Sequence, residues 1–308
     1  MTDNPVTRCG FVALIGAPNA GKSTLLNKLV GAKVSIVSRK VQTTRTQVRG
    51  IAMHEAAQII FVDTPGIFAP KRRLETAMVT SAWGGAADAD QVGLLIDVTH
   101  ADDERQAAIF DRIAEVRQPK FLILNKIDLI PREKLLAIAA QLNERAPFVA
   151  TFMVSALNGS GVKAILDHLA ETLPKGPYLY PEDEISDAPL RFLAAEITRE
   201  KMFERLHDEL PYRSTVETES WTTMKNGDVR IEQVIFVERE SQRKIVLGEK
   251  GRTIKLIGSE ARKDIAEATE TKVHLFLFVK VREDWANDPE RYREMGLEFP
   301  REPKPGKR

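Results

Sequence analysis

The chain has 308 residues, room for about two domains of ordinary size, each able to bury its own core. Its 43% hydrophobic and 29% charged content is that of a folded soluble protein and excludes a disordered chain. Its 45 lysines and arginines nearly balance 44 aspartates and glutamates, so affinity for nucleic acid has to come from a local patch.

The start of the chain, Met1 to Cys9, is polar and lacks the basic-then-apolar pattern of a secretory signal. No apolar run reaches the roughly 20 residues needed to cross a bilayer. The single cysteine, Cys9, excludes an intrachain disulfide and fits a reducing compartment. A cytoplasmic location is expected, with room for peripheral contact with the cytoplasmic face of the inner membrane, and the chain is expected to act as a monomer.

From Phe11 to about Leu173 apolar runs alternate with helical patterns. The runs are Phe11 to Gly16, Gln58 to Val62, Val92 to Val98, Phe121 to Leu124 and Phe148 to Val154. Leu25, Leu26, Leu29 and Val30 share one helical face, and Ala107 to Val116, Arg132 to Glu144 and Val162 to Thr172 also read as helices. Continuous apolar strands separated by crossover helices imply an α/β fold, a doubly wound, mostly parallel sheet covered on both faces.

Gly16-Ala17-Pro18-Asn19-Ala20-Gly21-Lys22-Ser23 matches G-x-x-x-x-G-K-[ST], between a strand and a helix as that motif requires. The glycines let the backbone curl until several N–H groups face one anion, and the helix start adds its partial charge. Lys22 supplies a full charge to the β- and γ-phosphates, the Ser23 hydroxyl suits Mg²⁺, and Thr24 completes the nucleotide-binding set. Asp63-Thr64-Pro65-Gly66 follows the second run: Asp63 is placed to reach Mg²⁺ through water, and Gly66 to bring an N–H to a γ-phosphate. Taken alone, that tetrapeptide is equally a common turn.

Asn125-Lys126-Ile127-Asp128 follows the fourth run. An aspartate only accepts hydrogen bonds, and guanine offers a ring N–H and an amino group side by side where adenine does not. Asp128 therefore points to GTP and GDP over ATP. Asn125 and Lys126 brace the loops around the base, and Ser155-Ala156-Leu157 after the fifth run is placed to finish the pocket.

These motifs, in this order, resemble the translation-factor-related P-loop GTPases. Within that class Gln42-Thr43-Thr44-Arg45 is similar to the first switch segment of the Era family. The resemblance implies that Thr44 coordinates Mg²⁺ in the GTP-bound state, and that Lys22, Thr44, Gly66 and Asn19 serve hydrolysis. Ile67 stands where Ras-like enzymes carry a water-orienting glutamine, and isoleucine cannot orient water. Several relatives instead hold K⁺ with an asparagine matching Asn19, an ion that replaces an arginine finger's charge. Asn19 is equally readable as a tight-turn residue.

Pro174, Pro177, Pro181 and Pro189, with the acidic run Glu182-Asp183-Glu184, read as a stiff, solvated linker. This divides the chain into a GTP-binding domain (1–174), a linker (175–189), a smaller α+β domain (190–285) and a C-terminal extension (286–308), whose basic, proline-rich end from Pro300 to Arg308 is expected to fray. In the smaller domain a helix from Leu190 to Leu206 is expected, then β-segments Ser214 to Thr223 and Val229 to Glu238 around the turn Lys225-Asn226-Gly227-Asp228. A helix from Thr253 to Thr269 and a strand from Val273 to Val281 follow.

Gly248-Glu249-Lys250-Gly251 is a G-x-x-G ahead of a helix, the form in which KH modules lay a nucleic-acid backbone against bare peptide. From Ser241 to Lys263 seven basic residues face two acidic ones, a local excess that suits phosphate contact and equally a solvated helix face. Gly248, Lys250, Gly251, Arg252 and Lys255 are the candidate RNA contacts. Ile254 and Leu256-Ile257 read as a surface for unstacked bases or, more simply, as core. The element order resembles a KH domain, and Val279-Lys280-Val281-Arg282 followed by Asp284-Trp285-Ala286 is also similar to the Era family. The resemblance then implies a GTP-controlled switch that binds small-subunit ribosomal RNA and assists assembly of the small ribosomal subunit from its precursor. Two other readings remain open on the residues alone: a signalling GTPase with a docking domain, and a GTP-sensing RNA-binding module with little hydrolysis. The five histidines show no metal-ligand spacing.

Overall fold

The computed structural model describes residues 6–103, 106–283 and 285–300. They form two compact units, one of the described residues within 6–34, 44–187 and 289–300, the other of those within 35–43 and 188–288. The basic tail 301–308, the first five residues and Asp284 lie outside the described residues.

The first unit runs β1 (Arg8–Gly16), α1 (Lys22–Val30), β2 (Val48–His54), β3 (Ala57–Asp63), α2 (Arg73–Asp88), β4 (Gln91–Asp97), α3 (Ala107–Glu115), β5 (Lys120–Asn125), α4 (Arg132–Asn143), β6 (Thr151–Val154) and α5 (Val162–Thr172). The sheet order is β2-β3-β1-β4-β5-β6. All neighbours are parallel except β2 and β3. Strands β3, β4 and β5 are buried at every position, as helices on both faces require of a parallel sheet. Chain order reverses on either side of β1, and the crevice at such a switch point, outside the carboxyl ends of the strands, is where α/β sheets take ligands. The loops after β1, β3, β5 and β6 all open there.

Strand β2 and helix α2 have no clear signature in the sequence. Val48–His54 includes Arg49 and Gly50, yet it pairs antiparallel with β3 through a tight turn in which Glu55 takes φ 51°. Helix α2 carries threonines and the pair Gly84-Gly85, all poor helix formers. Packing offsets that weakness: Leu74, Ala77, Met78, Ala82, Trp83, Gly85 and Ala86 form its buried face. Gly85 lies close under the Gln47 amide, which a Cβ there would meet at 2.9 Å and have to displace. Glu75 starts the helix by accepting the N–H groups of Lys71 and Arg72 at 2.7 and 3.1 Å.

The proline-rich segment is less solvated than its composition implies. The fully buried Gln58 side chain accepts from the N–H groups of Leu179 and Tyr180 at 2.8 and 3.0 Å and donates to the Tyr180 carbonyl at 2.7 Å. Ile51 donates to the Ile185 carbonyl at 2.9 Å, and Arg49 pairs with Asp187 at 2.7 Å. The segment thereby covers the outer edge of β2, which would otherwise present unpaired backbone groups.

The second unit contains α6 (Leu190–Arg205), β7 (Ser214–Thr223), β8 (Val229–Val237), α7 (Glu240–Leu247), α8 (Arg252–Ala268) and β9 (Val273–Val281). Strands β7 and β8 form the expected antiparallel hairpin; β9 then pairs parallel with β8. Gly227 supplies the left-handed turn residue at φ 86°, and the Asn226 side chain accepts from Asp228 N–H at 3.1 Å. Helix α8 buries Ile257, Ala261 and Ile265, spaced four apart on one face. Helix α7 has no clear apolar stripe in the sequence, since only Val246 in it is buried. Beyond β9, the Trp285 indole is buried and donates to the Arg213 carbonyl at 3.0 Å. Helix α9 (Pro289–Glu294) belongs to the first unit. Among the described residues no helix is long and apolar enough to cross a membrane.

Candidate functional site

The loop after β1 bends through residues that accept left-handed backbone, Asn19 at φ 62° and Gly21 at φ 100°. Gly21 has no room for a side chain, because a Cβ would strike the Asn125 amide. Lys22 opens α1 and is buried, with its ammonium on the carbonyls of Gly16 and Ala17 at 3.0 and 2.9 Å. Burial lowers its pKa to about 8, against the opposing attraction of Asp63. Asn19 is exposed and Thr24 half-buried.

Ser23, Thr44 and Asp63 meet at one point. The Ser23 hydroxyl donates to the Asp63 carboxylate at 2.6 Å, and the single Thr44 hydroxyl proton is shared between that same oxygen at 3.3 Å and the Ser23 oxygen at 2.9 Å. Asp63 is fully buried and Thr44 nearly so. Two hydroxyls and one carboxylate are the hard-oxygen donor set that suits Mg²⁺ alongside phosphate oxygens, so these residues fit that ion.

Behind Asp63, the buried Thr64 hydroxyl donates to the Leu14 carbonyl at 2.8 Å. Gly66 presses against the phosphate loop, since a Cβ there would lie 2.9 Å from Pro18. Ile67 N–H closes the turn on the Gly16 carbonyl at 3.0 Å, and its side chain packs into the main core with Ile15, Leu94 and Trp83. The aliphatic residue at this position is a core residue.

Asn125 is the keystone of the base side. Its amide donates to the Ala20 carbonyl at 2.8 Å and its oxygen accepts from Ala156 N–H at 2.9 Å. One buried side chain thus ties the loop after β1 to the loop after β6. Lys126, at φ 66°, bonds Asp97 at 2.5 Å. Asp97 also accepts from the N–H and hydroxyl of Thr99 at 3.0 and 2.6 Å. Burial pushes the Asp97 carboxyl up, but the hydrogen bonds from Lys126 and Thr99 outweigh it and hold the pKa below the usual range. Asp128 lies exposed in the 3₁₀ turn Ile127–Leu129. Ser155 is buried and bridges to Ser160, while Leu157 is 80% exposed and free to cover a flat ligand. Sequence reasoning missed Asp97. It stands beside Asn125 in the β4–β5 register, and the only signal for it was an acidic residue near the end of an apolar run.

In the second unit Gly248, Lys250 and Gly251 all have positive φ, at 72°, 50° and 75°. A Cβ on Gly248 would strike Thr253. Lys250, Arg252 and Lys255 are exposed around this loop. Not all the local basic excess is available. Arg243 is committed to Glu240 at 2.9 Å and to the Val279 carbonyl at 3.2 Å. Ile257 is core, whereas Leu256 on α8 and Ile245 on α7 are 46% and 57% exposed.

Residues 11–126 match the family described as 50S ribosome-binding GTPase, and residues 209–286 match the KH domain. The chain is 67% identical to GTPase Era of Afipia carboxidovorans over 296 residues, covering 96% of each chain. The chain belongs to the Era family of GTPases. GTPase Era of Mesorhizobium japonicum is 66% identical over 298 residues, covering 97% of this chain and 96% of that one. Two Era structures superpose with a TM-score of 0.89 over 94% of this chain and 99% of theirs, at 37% and 38% identity. One is an Aquifex aeolicus Era variant bound to GDP·AlF4⁻; the other is Era in complex with MgGDPNP and nucleotides 1506–1542 of 16S ribosomal RNA. As an Era-family member the chain is a GTP-hydrolysing enzyme with a P-loop domain and a KH domain.

Proposed function

We propose that the first unit holds GTP across the loops at 16–24, 63–67, 125–128 and 155–157. The second unit takes unpaired small-subunit ribosomal RNA against the loop at 248–251, and GTP and GDP set different affinities for it. The convergence of Ser23, Thr44 and Asp63 on one oxygen carries this reading, because three segments far apart in sequence have no structural need to meet there. Backbone N–H groups of residues 17–23 and the Lys22 ammonium would hold the phosphates, and Asp128 would accept both edge donors of guanine. Ser23, Thr44 and Asp63 would hold Mg²⁺, which when bound neutralises charge on the β- and γ-phosphates. A bound γ-phosphate would hold Gly66 N–H and Thr44 in place around it, and hydrolysis would release that hold.

Nothing at Ile67 can orient water by hydrogen bonding. We assign to Asn19 the task of helping a K⁺ ion sit against the phosphates. Turnover is expected to rise in potassium over sodium for the natural protein and to lose that difference in Asn19→Ala. Equal rates in both salts for both proteins would remove the ion from the mechanism.

The relative solved with MgGDPNP and 16S nucleotides 1506–1542 supports RNA near the 3′ end of that molecule as the ligand of the second unit and assembly of the small ribosomal subunit as its setting. Exposed Lys250, Arg252 and Lys255 supply the phosphate contacts; Ile245 and Leu256 supply apolar surface. On this reading the protein works as a cytoplasmic monomer, and any membrane contact is peripheral. The test is RNA affinity measured with GTP analogue and with GDP. A nucleotide-dependent difference is expected, and equal affinities would end the switch reading. Lys250→Glu with Arg252→Glu is expected to weaken RNA binding at least tenfold and leave basal GTP turnover unchanged. Unchanged RNA binding would favour a protein-docking role for this domain.

A further inference from the structure

Residues Ser35–Thr43 belong to the second unit, although the chain on either side of them belongs to the first. They are built into that unit. Ile36 is buried in a cluster with Ala194, Ile197, Val229, Ile231 and Ala261. Val37 N–H donates to the Glu200 carboxylate at 2.7 Å. The Thr43 carbonyl accepts from the Arg199 guanidinium, and the Lys40 ammonium bonds the Leu206 carbonyl at the end of α6. Thr43 itself folds back, its hydroxyl donating to the Lys40 carbonyl at 2.7 Å.

Arg199 and Glu200 are consecutive charged residues in the middle of α6, 2% and 3% exposed. Burying two charges is expensive, and apolar residues would hold a helix at lower cost. Arg199 is fixed by Glu196 and lies over the Phe203 ring at 5.3 Å. Both residues reach the backbone of the same short segment, near its two ends. The next residue after Thr43 is Thr44, whose hydroxyl reaches Ser23 and Asp63.

We propose that Arg199 and Glu200 are positioning residues for GTP hydrolysis: from the second unit they fix the backbone of residues 37–43 and so decide how readily Thr44 reaches the metal site. This rests on the reading of Thr44 given above and names the route by which nucleotide state and the KH domain influence each other. The physics is linkage. If Thr44 engages with GTP and not with GDP, whatever biases the segment changes the GTP-to-GDP affinity ratio, and nucleotide in turn biases the segment's hold on α6.

The test is Arg199→Met, which keeps an unbranched apolar side chain at this buried position and removes the guanidinium with its bonds to Thr43 and Glu196, together with Lys40→Ala, a half-buried site outside α6. For Arg199→Met the GTP-to-GDP affinity ratio and kcat are each expected to change about tenfold, within the usual range of coupling between sites, with GDP affinity itself unchanged. Lys40→Ala is expected to move the same two quantities in the same direction by a smaller factor. A lowered Tm with an unchanged ratio and kcat would make Arg199 a fold-stabilising residue only and overturn the proposal. Should Arg199→Met fail to fold, Lys40→Ala decides alone, with wild-type ratio and kcat as the overturning result. Failure here differs from failure of the underlying reading, because Thr44→Ala, measured in parallel, must still lose Mg²⁺-dependent turnover if Thr44 reaches the metal.

Discussion

Lys22→Ala is expected to weaken GTP binding by about two orders of magnitude or more and to abolish measurable turnover, since a preorganised charge in a water-poor site is worth ~10²–10³ in rate. Fluorescence titration with a labelled guanine nucleotide and a phosphate-release assay would read both. Wild-type affinity in the variant would mean that phosphates do not sit on this loop. The ammonium also carries a pH signature. Burial lowers its pKa to about 8 in the free protein, and a bound triphosphate raises it again, so binding takes up a proton once the pH exceeds about 8. GTP affinity should then fall by up to tenfold per pH unit above about 8. The fold responds with the opposite sign. Lys22 in the unfolded chain titrates at the ordinary lysine value, so between pH 8 and that value the unfolded state binds more protons and this group's contribution to stability rises with pH. Calorimetry in buffers of different ionisation enthalpy would count the proton. Zero uptake at pH 9 would contradict the burial argument.

What the sequence made legible follows from how local the chemistry is. The phosphate loop is eight contiguous residues between a strand and a helix, and each type there answers to one short-range need, whether curling backbone, N–H groups or a charge. Asn125 and Asp128 are similarly compact. Thr44 is different. Nothing in its neighbours separates it from an ordinary loop threonine, and only family resemblance singled it out; its meeting with Ser23 and Asp63 needs β1, β3 and the chain between them in place. Asp97 became visible only when β4 and β5 lay in register and set it beside Asn125. Helix α2 has a weak helical signature because several residues of its buried face are small and serve close packing, such as Ala77, Ala82, Gly85 and Ala86. The segment at 35–43 was least legible of all. Its partners Glu200 and Arg199 lie more than 150 residues away, and no periodicity in a nine-residue stretch can report contacts at that range.

Asp128→Asn should move base preference from guanine towards xanthine. The carboxylate offers two acceptor oxygens, matching the ring N–H and the amino group on one edge of guanine. An amide offers one acceptor and one donor, matching the ring N–H and the carbonyl that xanthine carries at that position. Hydrogen bonds to a charged group are worth about 1.5–3 kcal/mol each, so a mismatched donor facing the guanine amino group should cost GTP about 100-fold in affinity, and XTP should gain by a comparable factor. The substitution perturbs little else. Asp128 is exposed, and the loops it stands beside are held by other residues, Asn125 on Ala20 and Ala156 and Lys126 on Asp97. That separation gives the experiment its resolution. Asn125→Ala would loosen both loops and weaken every nucleotide alike, while Asp128→Asn should leave the phosphate side intact and reverse only the choice of base. If the Asp128 variant instead keeps its preference for GTP over XTP, the base is read somewhere other than this loop, and the assignment of Leu157 as its cover fails with it.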